Sequence, residues 1–177
     1  MHIYFSTNAI PAENWERIHE YLDEFEGEIG LEIFPEYHKP CFEGALRKEL
    51  AYLEQMPCSL HGPYYESEYA VAGDSEEFRH SVELLRKTLE EVAPLHVSYM
   101  VYHHSNMVIR EEEKAQRLAY ARENYETVRK ICEEYGVPPV VENVTLGTLH
   151  KGLFSQEEFI AECKKLGCKV LIDIGHC

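Results

Sequence analysis

The sequence has no long apolar run: no segment approaches the roughly 18 consecutive apolar residues that indicate a membrane-spanning helix. Its N-terminal segment also lacks the basic start and the small-residue cleavage site of a signal peptide. No low-complexity tract or flexible linker divides the chain. We therefore expect residues 1–177 to form a single cytoplasmic domain without membrane contact.

Positively charged residues are scarce. There are 17 Lys and Arg residues against 32 Asp and Glu residues, which gives a formal net charge of −15. Such a chain repels the phosphate backbone of nucleic acids at long range, and no Lys/Arg cluster offsets this repulsion. The composition therefore argues against general nucleic-acid binding.

The cysteines lack a metal-binding or disulfide pattern. There is no C-x-x-C pair, and the spacings are irregular in a chain without a secretion signal. We therefore expect reduced thiols that mostly pack as small apolar side chains. The six residues are Cys41, Cys58, Cys132, Cys163, Cys168 and Cys177.

What the sequence does contain is an alternation of short apolar runs and longer amphipathic stretches. The apolar runs predict strands over 2–6, 30–34, 58–61, 96–104, 138–144 and 168–177. Apolar residues three and four apart predict helices over 13–25, 44–56, 111–135 and 156–166, and a long helix with an apolar stripe from Phe78 to Val92 that ends before Pro94. Asp74 or Ser75 can cap the third helix, and Ser155 with Glu158 predicts a capping box at the last one.

Strands that alternate with helices indicate a parallel sheet with right-handed crossovers, which is an α/β fold. Both a doubly wound open sheet and a (β/α)8 barrel fit this order. The first strand is not followed by G-x-G-x-x-G, which disfavours the dinucleotide-binding form of the open sheet.

Metal-ligand residue types fall at the ends of four consecutive predicted strands, and the carboxyl ends of strands form the active-site face in both architectures. The residues are His61; His103 and His104; Glu142; and Asp173 with His176. A single strand-end histidine is more often a structural, hydrogen-bonded residue. The repeated pattern instead predicts a site for Zn²⁺, Mn²⁺ or a related ion.

Other polar residues near these strand ends carry weaker signals. His103 and His104 cannot both point inward from a regular strand, and His103 shares a face with the strand's inward residues. Tyr64 and Asn143 are candidates for substrate binding, although ring packing explains Tyr64 more simply and a turn role explains Asn143 equally well. Glu32 is an unusual carboxylate within a buried strand.

With these residues placed, the chain resembles the xylose isomerase-like TIM-barrel superfamily. The matching stretches are GLEIF, LHGPYY, VYHHS, VVENV and LIDIGH, which occur in order through the chain. The superfamily includes sugar phosphate isomerases and epimerases, inosose dehydratases and the endonuclease IV family of abasic-site nucleases. The resemblance therefore implies a TIM barrel with metal ions at the carboxyl ends of its strands.

The resemblance also implies roles for individual residues. Glu142 and Asp173 match the two carboxylate ligands shared by isomerases and nucleases, and His176 matches a histidine that binds metal or sugar. His61 and His103 match histidines that bind additional zinc ions in the endonuclease-like branch, where a tyrosine also occupies the position of Tyr64. The sequence therefore has features of both branches.

The departure from the family lies after the sixth strand. The family's seventh and eighth strands supply a further histidine and a final glutamate, which forms an acid–base pair with the residue matched by Glu142. We therefore expect a C-terminally truncated, incomplete (β/α)8 barrel of about six parallel strands. Its two unpaired edge strands favour association into a homo-oligomer.

The resulting functional hypothesis is a metal-dependent isomerase or epimerase of a sugar or sugar phosphate. Glu142 and His176 are its expected catalytic residues, and Glu142, Asp173, His176, His61 and His103 its expected metal ligands. Zn or Mn is the expected divalent ion, with Mg or Co as alternatives. The competing hypotheses are a multinuclear zinc phosphoesterase resembling endonuclease IV and an inactive fragment that retains the fold.

Overall fold

A computed structural model describes residues 3–25, 28–144 and 152–176 of the chain. Within these residues, six strands form one sheet in chain order, and every neighbouring pair is parallel. The strands are β1 Ile3–Ser6, β2 Ile29–Ile33, β3 Cys58–His61, β4 Val97–Tyr102, β5 Pro139–Glu142 and β6 Lys169–Leu171. The predicted parallel α/β fold is therefore confirmed.

Five α-helices connect the strands in the part of the chain that the structure describes. They are α1 Ile18–Leu22, α2 Phe42–Leu53, α3 Glu76–Val92, α4 Lys114–Glu134 and α5 Gln156–Leu166. The Ser75 hydroxyl accepts a hydrogen bond from the Phe78 amide, so Ser75 rather than Asp74 caps α3. At α5 both halves of the predicted capping box are present, and Gly167 ends the helix in the left-handed conformation (φ 63°).

The two faces of the sheet differ in chemistry because successive residues of a strand point to opposite sides. Residues on the helix-facing side join one hydrophobic core with the helices; they include Leu31, Ile33, Cys58, Leu60, Met100 and Val141. The alternate residues on the other side line a cavity and include Glu32, His61, His103 and Glu142. The core therefore fixes the sheet, and the sheet directs the polar side chains to its other face.

Besides small shifts in the bounds of other elements, three predicted elements differ in form from the structure. The predicted helix over 13–25 is one short α-helix, α1, between 3-10 segments at Ala12–Arg17 and Asp23–Phe25, and Asn14 has non-helical backbone angles (φ −122°, ψ 24°). Helix α4 begins at Lys114, so Glu111–Glu113 form a turn before it instead of its first turn. The last predicted strand, over 168–177, is wrong beyond Leu171, because Ile174–His176 form a 3-10 turn.

The sheet is open among the described residues. Strands β1 and β6 each pair with a single neighbour, and the apolar side chains of Ile3, Ile172 and Ile174 are exposed at these edges. The expected association of copies through these edges stays a prediction.

Two further expectations concern composition. The five described cysteines are free thiols, as expected, and Cys177 lies outside the described residues, as does His2 of the first predicted strand. Within residues 3–25, 28–144 and 152–176, no helix is both long and apolar enough to cross a membrane.

Candidate metal centre

The carboxyl ends of β3 to β6 meet at one edge of the sheet, and the predicted site residues lie there. His61 and Glu142 are the last residues of β3 and β5, whereas His103 directly follows β4. Asp173 and His176 lie in the turn after β6 instead of on the strand itself. All five side chains line a cavity of about 530 Å³. The structure therefore brings together every residue predicted as a metal ligand.

The first group of potential ligands is His61, His103 and Glu142, whose side chains are largely buried. His103 Nε2 lies 2.8 Å from Glu142 Oε2, and His61 Nε2 lies 3.8 Å from the same oxygen. One donor atom from each of the three residues lies within 4.8 Å of the other two. The three atoms are thus close enough to contact one ion.

The ring orientation of His61 is set by its own backbone. Its Nδ1 lies 2.7 Å from the Gly62 carbonyl oxygen, which can only accept a hydrogen bond, so Nδ1 carries the proton. Burial, together with the neighbouring His103, lowers the pKa of His61 to about 4. The imidazole is therefore neutral near pH 7, and its unprotonated Nε2 faces Glu142.

His103 is oriented by Asn106, a residue that no sequence motif indicates. The Asn106 amide nitrogen donates to the carbonyls of Tyr64 and Ser67, both at 3.2 Å, so its Oδ1 is the acceptor for His103 Nδ1 at 2.8 Å. The backbone N–H of Asn106 donates to Glu68 Oε2 at 2.9 Å. Asn106 therefore links the loops after β3 and β4 and directs His103 Nε2 toward Glu142.

The second group is Glu142, Asp173 and His176. His176 Nδ1 lies 3.5 Å from Glu142 Oε1, and His176 Nε2 lies 3.7 Å from Asp173 Oδ2. The Nδ1 atom donates to the Asn143 carbonyl at 2.8 Å, which again leaves Nε2 unprotonated in the neutral ring. Glu142 is therefore shared between the two groups, with one oxygen toward each.

Asn143 holds the second group together through its side chain. Its Oδ1 accepts from the Asp173 backbone N–H at 2.6 Å, and its Nδ2 donates to the Asp173 carbonyl at 3.0 Å. These two bonds join the end of β5 to the turn after β6. Asn143 therefore has a structural role, and its predicted contact with substrate stays a prediction.

Gly62 allows β3 and β4 to approach closely beside the first group. Its N–H donates to the Val101 carbonyl at 2.8 Å, and a Cβ atom on this residue would lie 2.8 Å from the same oxygen. The rings of His61 and His103 are consequently only 4.9 Å apart. A side chain at position 62 would separate the two strand ends.

The remaining predicted residues surround the cavity or point away from it. Tyr64 is about one third exposed and its ring lies 5.8 Å from that of His103, so it is at the cavity wall. Glu32 also lines the cavity, and its pKa is raised because the carboxyl is buried. His104 instead packs in the helix layer against Tyr125 and Phe154, as the strand alternation indicated.

The strands follow one another in the sheet in chain order, without the reversal of a doubly wound sheet, and this is the arrangement of consecutive strands in a TIM barrel. The family model of the xylose isomerase-like TIM barrel matches residues 30–177, and the chain belongs to this family. No curated protein matches the chain.

Solved structures with this fold are similar over nearly the whole chain. A D-tagatose 3-epimerase-like protein has a TM-score of 0.76 at 18% identity, covering 99% of this chain and 66% of its own. A D-psicose 3-epimerase in the presence of D-fructose has a TM-score of 0.61 at 17% identity, covering 97% and 61%. Endonuclease IV from Thermus thermophilus has a TM-score of 0.54 at 21% identity, covering 99% and 62%.

The share of each solved structure that this chain covers indicates how much of the barrel is present. The chain spans about two thirds of the length of these structures. With six strands in an open sheet, the fold is an incomplete TIM barrel, as predicted.

The donor atoms of the two groups suit some divalent ions better than others. Each group combines imidazole nitrogen with carboxylate oxygen, which is the mixture that Zn²⁺ and Mn²⁺ accept. Mg²⁺ prefers oxygen ligands and is less suited to the histidine pair. All three histidines also have a protein acceptor at Nδ1, which is the usual arrangement around metal-binding histidines.

Proposed function

We propose that this protein is a metal-dependent isomerase or epimerase of a sugar or sugar phosphate. The observation that carries the proposal is the position of Glu142 at the base of the cavity. Its Oε2 faces the two histidines of the first group, and its Oε1 faces His176. A carboxylate held in this way can bind an ion and also accept a proton from a substrate in the cavity.

The proposed ligands are Glu142, Asp173 and His176, with His61 and His103 as a further pair. A bound Zn²⁺ or Mn²⁺ ion would polarise the carbonyl and hydroxyl oxygens of the sugar. Glu142 is the proposed group that moves the proton at the carbon next to the carbonyl.

Three side chains would position the sugar around Glu142. His176, about one quarter exposed, has Nε2 available because Nδ1 is occupied by the Asn143 carbonyl, and this atom either binds the ion or contacts a sugar hydroxyl. Tyr64 offers a partly exposed ring and hydroxyl at the cavity wall. Asn143 acts on the site through Asp173, whose backbone it binds.

The proposal is tested by proton exchange at the reacting carbon. The zinc- or manganese-loaded protein is incubated with free ketohexoses and ketose phosphates in D₂O, and deuterium incorporation is followed by NMR. We expect exchange with wild-type protein and none with Glu142→Gln, which keeps the shape of the side chain but removes its basicity. Exchange that persists in Glu142→Gln, or that is absent from the wild type with every sugar, would contradict the proposal.

A multinuclear zinc phosphoesterase is the second candidate, because His61 and His103 add two nitrogen donors beside Glu142. Two groups that share one carboxylate could hold two adjacent ions. Two or three zinc ions per chain together with cleavage of an abasic-site oligonucleotide would favour this candidate. One ion per chain without cleavage would exclude it.

A further inference from the structure

The end of α5 brings two cysteines together. The carbonyl oxygen of Cys163 accepts the backbone N–H of Gly167 and also, at 3.3 Å, that of Cys168. With Gly167 in the left-handed conformation, these bonds are those of a Schellman-type helix end. In such an end the side chains of the first and last residues of the motif pack against each other. Here both of these side chains carry a thiol.

Hydrogen bonds at the two sulfur atoms show the same contact. The Cys168 Sγ lies 3.6 Å from the Cys163 carbonyl oxygen. The Cys163 thiol in turn is the hydrogen-bond donor for the Cys168 sulfur, so the two sulfur atoms are neighbours. A disulfide requires Cα atoms about 4.4–6.8 Å apart, and the direct backbone hydrogen bond between the two residues holds them at short range.

The two thiols differ in exposure and acidity, and both differences favour Cys168 as the attacking group. Cys163 is 5% exposed, whereas Cys168 is half-buried. The hydrogen bond from the Cys163 thiol lowers the pKa of Cys168, because it stabilises the thiolate, and the same bond raises the pKa of Cys163. The thiolate is the reactive form of cysteine, so Cys168 is the nucleophile and Cys163 the thiol behind it.

The charges around the pair also favour a thiolate. Three exposed lysines adjoin the pair in the sequence, two in the last turn of α5 and one after it: Lys164, Lys165 and Lys169. Positive charge near a cysteine stabilises its thiolate. The carboxylate of Glu162 opposes ionisation of Cys168, but it is paired with the Arg122 guanidinium at 2.5 Å.

The other described cysteines lack this combination of features. Cys58 and Cys132 are completely buried, and burial raises their pKa to about 11 and about 12. Cys41 is half-buried like Cys168, but burial raises its pKa and its thiol is hydrogen-bonded to Glu13 instead of to a second thiol. Cys41 is therefore a matched comparison for Cys168 within the same chain.

We propose that Cys163 and Cys168 form a redox-active pair that hydrogen peroxide oxidises to a disulfide. The Cys168 thiolate attacks one peroxide oxygen, the O–O bond breaks, and the other oxygen takes up a proton and leaves as water, so that Cys168 becomes a sulfenic acid. The Cys163 sulfur then attacks the sulfenic sulfur. The S–S bond forms, the S–O bond breaks, and a second water leaves with the Cys163 proton.

The electrons balance without a further reactant. The two thiols together lose two electrons and two protons, and these reduce one peroxide molecule to two molecules of water. A thiol reductant reverses the reaction by exchange. The disulfide would join the end of α5 to the residue that precedes β6, the strand that leads to Asp173 and His176.

The test is peptide mapping after treatment with peroxide. The reduced 177-residue protein is treated with equimolar hydrogen peroxide at pH 7.5, its free thiols are blocked with N-ethylmaleimide, and it is digested with trypsin without reduction. Trypsin cleaves after Lys164 and Lys165, between the two cysteines, so the disulfide is detected as peptide 152–164 joined to peptide 166–169.

We expect the joined peptides in protein that migrates as a single chain on a non-reducing gel, and we expect them to separate after treatment with a thiol reductant. They should form at least about tenfold faster than Cys41 is oxidised, because Cys168 alone has a lowered pKa among the described thiols.

Single variants assign the two roles. Cys163→Ser leaves Cys168 without a thiol to react with its sulfenic acid, so dimedone should trap the sulfenic acid at Cys168. Cys168→Ser removes the attacking thiolate, and oxidation of Cys163 should become at least about tenfold slower. Cys41→Ser is the matched control and should form the joined peptides at the wild-type rate.

Any of four results would overturn the proposal. They are the absence of joined peptides from wild-type protein, joined peptides only between two chains, oxidation of Cys168 no faster than that of Cys41, and no dimedone adduct at Cys168 in folded Cys163→Ser. The first three need no variant, so a substitution that disturbs folding leaves the test intact. The deuterium-exchange assay decides the proposed function separately.

Discussion

Replacing His104 by leucine should make the protein more resistant to acid. His104 is 4% exposed and is surrounded by the rings of Tyr102, Tyr125 and Phe154, with ring centroids 5.1–5.5 Å away. Neither ring nitrogen has a hydrogen-bond partner among the described residues. Burial lowers the pKa of His104 to about 4, since the charged form would lose its hydration.

The size of the stability change follows from the difference between the pKa of His104 in the folded protein and its pKa in the unfolded chain. An unfolded histidine has a pKa of about 6.5, so between pH 6.5 and pH 4 the unfolded chain binds the proton that the folded protein excludes. Stability is therefore complete above pH 6.5 and falls with pH, by about 2 kcal/mol at pH 5 and about 3 kcal/mol below pH 4. Leucine removes this loss, and it also removes two unpaired polar atoms that cost about 1–3 kcal/mol.

The assay is urea unfolding of wild-type protein and His104→Leu at pH 7.5 and pH 5. Burial also lowers the pKa of His61 to about 4, so both proteins lose some stability between pH 7.5 and pH 5. The informative quantity is therefore how much more unfolding free energy the wild type loses than His104→Leu over this pH interval. His80→Leu, at an exposed position of α3, is the control and should leave the pH dependence unchanged. Parallel loss of stability in wild type and His104→Leu would refute the reasoning, because it would mean that His104 is hydrated or hydrogen-bonded in solution.

Two substitutions beside the first ligand group test how it is held. Asn106→Leu removes the acceptor for His103 Nδ1, so zinc affinity measured by calorimetry should fall by about tenfold. Unchanged zinc affinity would count against an orienting role for Asn106. Gly62→Ala introduces a Cβ atom 2.8 Å from the Val101 carbonyl oxygen. Because this contact is too close, the substitution should lower the free energy of unfolding in urea by about 1–3 kcal/mol and should also weaken zinc binding. A Gly62→Ala protein with wild-type stability would show that β3 can move without cost.

The sequence was sufficient to predict the parallel strands and the residues at their carboxyl ends. Apolar runs such as that of β5, which ends at Glu142, are short and sharply bounded, and alternation with helices permits only parallel pairing among neighbours. His61 and His103 could be predicted for the same reason, since each follows its apolar run directly. These features depend on residues close together in the chain.

The form of the last segment could not be predicted, because it depends on local hydrogen bonding that competes with the strand. The Asp173 carboxylate accepts the Gly175 N–H at 2.6 Å, and the His176 N–H donates to the Asp173 carbonyl at 3.2 Å. Apolar Ile172 and Ile174 favoured a continuous strand by composition alone. The turn instead leaves both side chains exposed.

Asn106 could not be recognised for a different reason. It lies in a loop without periodicity, and its significance arises from Tyr64 and Ser67, which are about 40 residues away in the sequence. The single local signal is its position three residues after His103. A polar residue in a loop has many ordinary roles, so this signal does not identify an orienting residue.

The two ligand groups are held by different kinds of contact, and this difference makes them separable. His61 is oriented by the next residue and His103 by a residue three positions on, whereas His176 and Asp173 both depend on Asn143 of the preceding β-strand unit. Asn143→Ala removes both side-chain bonds to the Asp173 backbone. It should therefore displace the second group and leave the first in place.

The prediction is tested by ¹⁵N NMR of the histidine rings in metal-free protein near pH 7.5. In wild type, Nδ1 of His61, His103 and His176 should carry a proton, because each faces an acceptor. Asn143→Ala should change the signals of His176 while those of His61 stay within error, and Asn14→Ala, at an exposed position, should change neither. Equal displacement of both histidines would mean that Glu142 couples the two groups more strongly than the local contacts separate them.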